Sequence, residues 1–133
     1  MCLRIVNETL KTANKDIECY KVLERKSGRL YSPYQDHKYY LGKSNPDVSL
    51  KITVKGKFFI EKTVHKGYHS FSYYKDAVKE IEDWGIENVG AYVVVRCIIP
   101  KGAMYYSGTF EVFHKEVRCR ASSTIIIKEV ITK

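Results

Sequence analysis

The sequence predicts an α+β domain of six to eight mainly antiparallel strands with one packed helix over about residues 73–84. Three observations predict it. Short segments alternate apolar and polar residues between turn signals. One segment, SYYKDAVKEIEDWG, repeats its apolar residues at helical spacing. Another, AYVVVRCII, is almost continuously apolar, as a strand covered on both faces should be.

Residues 1–16 carry weak helical spacing at Leu3, Val6 and Leu10 and read as an arm or short helix ahead of a single domain over 17–133. In IECYKVLER, Ile17, Cys19, Lys21 and Leu23 share one strand face, and Glu18, Tyr20, Val22 and Glu24 the other. Lys26-Ser27-Gly28 turns the chain into RLYSPY, giving a hairpin whose second strand Pro33 ends or places at an edge. HKYYLGK is a short extended piece, SNPD a loop, and LKITV an alternating strand that turns at Lys55-Gly56-Lys57 into FFIEKTV. Gly67–Phe71 is extended. Ser72 then serves as N-cap, with Tyr74, Ala77, Val78, Ile81 and Trp84 on the buried helix face and Lys75, Lys79, Glu80, Glu82 and Asp83 opposite. Gly85 fits a left-handed C-terminal cap. Beyond residue 89 the chain is β: the long apolar strand turns at Pro100-Lys101-Gly102, then Ser107-Gly108 marks a further turn between short strands.

The 133 residues suffice for one ordinary domain. No apolar run approaches the roughly 18–20 residues of a membrane helix, and MCLRIVNETLK lacks the apolar stretch of a signal peptide. A cytoplasmic protein without a membrane partner is expected. Cys2, Cys19, Cys97 and Cys119 form no C-x-x-C pair, so buried free thiols are expected over a zinc site, with a Cys97–Cys119 contact open between neighbouring strands. His65 and His69 lie in an extended or turn segment, about 13 Å apart if extended, too far to share a metal.

Charge and aromatic content point to the partner. The net charge is +8, and 11 residues are tyrosine. Residues 75–87 are acidic, so the rest of the chain is more basic still. Phosphate-bearing ligands suit such a surface, because cations neutralise phosphate and tyrosines stack bases. The Tyr-rich basic hairpin and central loop supply Arg29, Tyr31, Tyr34, Lys57, Lys66, His69 and Ser70 as the candidate binding surface. Arg29 can grip phosphate by two parallel hydrogen bonds, and Tyr31 or Tyr34 can stack a base. The leading expectation is a non-catalytic cytosolic binding module for a nucleotide, a nucleotide signal or a nucleic acid, requiring no cofactor and no metal.

Two resemblances add alternatives. The order Ser70-Phe71-Ser72, helix, long strand, Pro-Lys-Gly turn and Thr109-Phe110-Glu111 resembles the core of the ADP-ribosyltransferase family. That resemblance implies an NAD-using enzyme in which Ser70 orders the nicotinamide ribose and Glu111 stabilises an oxocarbenium-like centre. The chain departs from the family at Tyr20-Lys21, where Arg or His is usual, at Phe71 and at Thr109. The pieces "SPY" and "GYHSF" resemble small proteins encoded by bacteriophages and prophages. That implies an accessory or anti-defence product in the bacterial host cytoplasm, or an inhibitor that binds a host protein.

Overall fold

The computed structural model describes residues 3–5, 9–32, 38–56, 61–83, 92–112 and 114–131. A tight turn organises its first hairpin. Ser27 and Gly28 hold φ of 50° and 76°, matching the twist of short hairpin loops. They join β3 (Ile17–Lys26) to β4 (Arg29–Tyr31). β9 (Tyr92–Ile99) lies along β3 from Ile17↔Ile99 to Glu24↔Tyr92. β12 (Ile126–Val130) flanks β9, and β8 (Tyr68–Phe71) takes the other side of β3. The sheet continues through β11 (Lys115–Ser122), β10 (Met104–Val112), β1 (Leu3–Ile5), β7 (Glu61–Lys66) and β6 (Lys51–Lys55). β2 (Lys11–Thr12) pairs with β10, and β5 (Lys38–Tyr39) with β4.

This architecture overturns the expected α+β class with six to eight strands. The described residues form one antiparallel sheet of 12 strands and a single short helix. The excess comes from pieces such as β1, β2, β4 and β5, too short to display an alternating pattern. Their pairing is supplied by neighbours distant in sequence. Residues 1–16, expected as an arm or short helix, contribute β1 and β2, and Leu3 is fully buried. Ser107-Gly108 is no turn but lies within β10. There a Cβ on Gly108 would overlap the Arg4 carbonyl of β1, so the glycine marks a close backbone approach.

Alternation sorts the side chains into two cores. Cys19 and Leu23 of β3 and Val93, Val95, Cys97 and Ile99 of β9 face one side. Val22, Val94, Phe71, Cys119 and Ala121 face the other. The first core is closed by the chain beyond β5. Leu41 bridges Ile127, Ser44 bridges Ile126, and the Val48 N–H donates to the Ser123 carbonyl. At this closure Asn45, 2% exposed, hydrogen-bonds through its amide to Tyr40 and Ile125.

The second core is covered by α1 (Tyr74–Asp83). Ala77 is fully buried, and Val78 and Ile81 pack partly buried against the sheet. Trp84 and Gly85, expected to close this helix, lie outside the described residues. Glu80, expected on the solvent face, is 3% exposed, and Asp76 is 6% exposed. Each residue turns a helix by about 100°. The sheet-facing arc therefore runs from Asp76 through Glu80, Ala77 and Ile81 to Val78, and the small Ala77 at its centre lets the helix lie close to the sheet. Ser72, expected as the cap, instead accepts a hydrogen bond at its hydroxyl from Arg120. Among the described residues, no helix is long and apolar enough to cross a membrane.

Candidate anion-binding cleft

The residues singled out from sequence do not converge. Tyr34 and Lys57 lie outside the described residues. Arg29 is exposed at the hairpin tip and Tyr31 is half-buried, with Lys26 Nζ 5.9 Å from its ring centroid. Arg29 pairs with Lys26, five residues along β3 from Lys21, or roughly 17 Å at strand rise. Lys66 is exposed at the end of β7. Ser70 is 1% exposed, inside the sheet. The His69 ring is held between the carbonyls of Val64, 3.0 Å from Nε2, and Gly67, 3.1 Å from Nδ1. Burial, then the nearby Lys21 charge, pushes its pKa down to about 4. The neutral ring carries one N–H and so donates to one of these two carbonyls; at this position it is a structural element of the β7–β8 turn rather than an anion ligand.

Ser70 and Glu111 also stand apart. Ser70 lies level with Arg120 and so with Ser107 of β10. Glu111 is four residues further along β10, with β11 intervening, exposed and 3.7 Å from His114. They do not share a cleft.

The structure instead gathers residues on β8, β10 and β11. Arg118 and Arg120 alternate with Cys119, so both arginines share the face opposite the helix. Cross-strand register sets Thr109 beside Arg118 and Ser107 beside Arg120. Ser72, just beyond β8, donates its N–H to the Arg118 carbonyl at 3.0 Å. Its hydroxyl accepts from Arg120 Nη1 at 3.1 Å. Together these residues line an open cleft of about 210 Å³. Their guanidinium carriers are about 7 Å apart along the strand, one two-residue step.

Electrostatics set this pair apart from Arg4 and Arg96 of the same sheet. Arg4 is bonded to Glu116 at 3.1 Å, and Arg96 to Glu129 at 2.8 Å. Among the described residues neither Arg118 nor Arg120 has a carboxylate within ion-pair distance, and no acid lines the cleft. Two planar five-donor groups beside hydroxyls form a surface for oxyanions. The signal was present in sequence: EVRCRA is a strand with arginines two apart, and period two places them on one face.

Three buried thiols lie in the sheet. Cys97 faces Cys19 across β9 and β3, not Cys119, which sits opposite Phe71 and Gly108 on the other face. Cys19, Cys97 and Cys119 are free and buried. Burial pushes the Cys19 thiol up, but the neighbouring Cys97 and Ser70 side chains and the charges of Lys21 and Arg120 outweigh it and lower its pKa. Lys21, 8% exposed, donates to the His69 carbonyl and lies 5.3 Å from the Tyr39 ring centroid. No trio of metal-ligating side chains assembles among the described residues. Comparison with protein-family models, with curated proteins and with solved structures finds no match.

Proposed function

We propose that this protein is a binding module for a phosphate-bearing ligand, held in the Arg118–Arg120 cleft. The observation that supports it is the arginine pair itself. Both guanidiniums share one open face, Arg120 is oriented by Ser72, and no described carboxylate neutralises either one. An arginine with a spare fork binds phosphate through two parallel hydrogen bonds, which a lysine cannot reproduce. The +8 net charge raises the local concentration of anionic ligands and makes association salt-dependent.

The test is equilibrium titration with inorganic pyrophosphate and tripolyphosphate at low and physiological salt. Binding should weaken as salt rises. Arg120→Lys, which keeps the charge and loses the fork, should weaken it roughly tenfold or more, as expected for hydrogen bonds to charged groups. Absence of binding at low salt, or undiminished binding by the Arg118→Lys/Arg120→Lys double variant, removes the proposal.

A further inference from the structure

The two ends of the sheet are finished differently. At one end the chain covers the outer side of β12: Leu41 bridges Ile127, Ser44 bridges Ile126, and the Gly42 N–H donates to the Ile127 carbonyl at 2.8 Å. At the other end stands β6, and among the described residues no strand pairs with its outer side. A sheet edge presents a row of backbone N–H and C=O groups, which makes it a template for a further strand.

The side chains of β6 define what such a strand would carry. Ile52 sits opposite Val64 of β7, and Val64 opposite Leu3 of β1. Leu3 and Val64 are fully buried in the second core, so the apolar face of that core continues onto β6. There it is open: Ile52 and Val54 are 37% and 59% exposed. A strand laid beside them would cover both through cross-strand apolar pairs, the main source of sheet stability. The other face of β6 begins and ends with Lys51 and Lys55, both exposed and about 13 Å apart at strand rise. Among the described residues neither lysine has a carboxylate within ion-pair distance.

Charge decides between occupants. A second copy of this chain, paired antiparallel over all five residues, sets Lys51 against Lys55 twice, and like charges directly opposite are destabilising. The +8 net charge also opposes self-association. Nucleic acid offers no alternating N–H and C=O row to complete a ladder. We propose that β6 is the docking edge for an extended acidic segment of a partner protein, which adds a strand to the sheet. Its apolar residues lie beside Ile52 and Val54, and two carboxylates four residues apart lie beside Lys51 and Lys55. This surface is distinct from the arginine cleft, since β10, β1 and β7 separate β6 from β11.

The test uses the full-length protein and a blocked pentapeptide, Glu-Val-Thr-Ile-Glu, whose charge pattern suits either strand direction. One control is Lys-Val-Thr-Ile-Lys. The other is the acidic peptide N-methylated at Val and Thr, which keeps its charges and loses ladder donors on both sides. Binding is followed through backbone amide signals by NMR. The acidic peptide should shift amides of β6 and β7 and bind at least about tenfold more tightly than either control. Lys51→Glu/Lys55→Glu should reverse the preference, so that the basic peptide binds more tightly. Equal binding of the acidic and basic peptides, undiminished binding of the methylated one, or no shift on β6 overturns the proposal. Shifts confined to β8 and β11 also overturn it, by assigning the peptide to the arginine cleft. Concentration-dependent dimerisation with shifts on β6 overturns it in favour of a second copy. Pyrophosphate should not displace the peptide from β6, so failure of this edge and failure of the phosphate reading are read separately. The wild-type comparison of the three peptides needs no variant to fold.

Discussion

Asn45 offers a demanding test of how the first core is closed. Its side-chain oxygen accepts from the Tyr40 N–H at 2.9 Å, and its amide nitrogen donates to the Ile125 carbonyl at 3.0 Å. These partners force the amide orientation, since a donor must face the carbonyl. Asn45→Asp keeps shape and the Tyr40 contact but sets an acceptor against the Ile125 carbonyl. When ionised it also buries a charge beside an apolar core. The lost hydrogen bond costs about 1 kcal/mol. The larger cost is protonic. Burial raises the folded-state pKa of such a carboxyl above its unfolded value of about 3.9. A raised folded pKa means that stability present below the unfolded pKa is lost as pH rises through the folded one. A rise of two to three units adds about 3–4 kcal/mol at pH 7. Urea unfolding should therefore show a penalty of roughly 4–5 kcal/mol at pH 7, shrinking to about 1 kcal/mol at acid pH, where a protonated carboxyl can donate to Ile125. Asn45→Ala carries no titrating group and should cost a similar amount at both pH values. An Asn45→Asp penalty that ignores pH, or stays under about 1 kcal/mol at pH 7, would refute the clasp.

Four further outcomes are expected. Gly108→Ala should destabilise by roughly 2–4 kcal/mol in denaturant titration, because its methyl displaces β1 and uncovers Leu3; a change within about 0.5 kcal/mol, as at an open surface site, would place β1 elsewhere. His69, held neutral down to about pH 4 against 6.5 in the unfolded chain, makes stability fall as pH drops through that window. The loss is at most about 3 kcal/mol, and His69→Gln should flatten the pH profile of the unfolding midpoint. Glu80→Ala should cost about 1–3 kcal/mol in urea unfolding rather than the few tenths expected of a solvent-facing residue, because its side chain is buried. Cys19, Cys97 and Cys119 should resist alkylation in the native protein and react together on unfolding, followed by mass spectrometry; rapid native labelling of any of the three would contradict their burial.

What the sequence made legible follows the length and regularity of each element. β3 and β9 are long and paired along their length, so alternation in IECYKVLER and the apolar run YVVVRCII matched their observed faces. The helix was equally visible, but its rotation was not. The expected face held Tyr74, Ala77, Val78, Ile81 and Trp84, but Tyr74 is exposed and Glu80 lies inside, because a tyrosine scores as apolar and a glutamate as polar whichever way the helix is turned. A buried carboxylate is a local cost that only the tertiary setting reveals. β1, β2, β4 and β5 have two or three residues each, below the length at which any periodicity exists. Gly108 misled because glycine marks both turns and close strand approaches. For the site, abundance of tyrosine and lysine drew attention to the hairpin, whereas the cleft depends on two arginines whose importance lies in what faces them across strands.

The position of those arginines has a physical reason within the sheet. The face that carries the first core is apolar on β3 and β9, where Cys19, Leu23, Val93 and Val95 share one buried cluster with Leu30, Tyr39, Tyr68 and Ile127. Continuing across β8 onto β11, the same face turns polar, with Arg118, Arg120 and Ser122. Its apolar half is covered and the cleft on its polar half is open. Solvation alone would explain an exposed polar strand, but it would not explain why Arg120 is half-buried and fastened to Ser72 while Arg4 and Arg96 pair with carboxylates. Fixing a long side chain costs rotamer entropy of about 1.5–2 kcal/mol. Once that cost is met in the folded state, a bound phosphate need not meet it again. The regular backbone of β11 thus acts as a rigid ruler for two guanidiniums. Lengthening it by one residue between Arg118 and Arg120 should send one arginine to the helix face and abolish pyrophosphate binding, whereas a two-residue insertion should restore the shared face with a wider spacing. If the one-residue insertion folds and still binds pyrophosphate like the wild type, recognition does not depend on the pair.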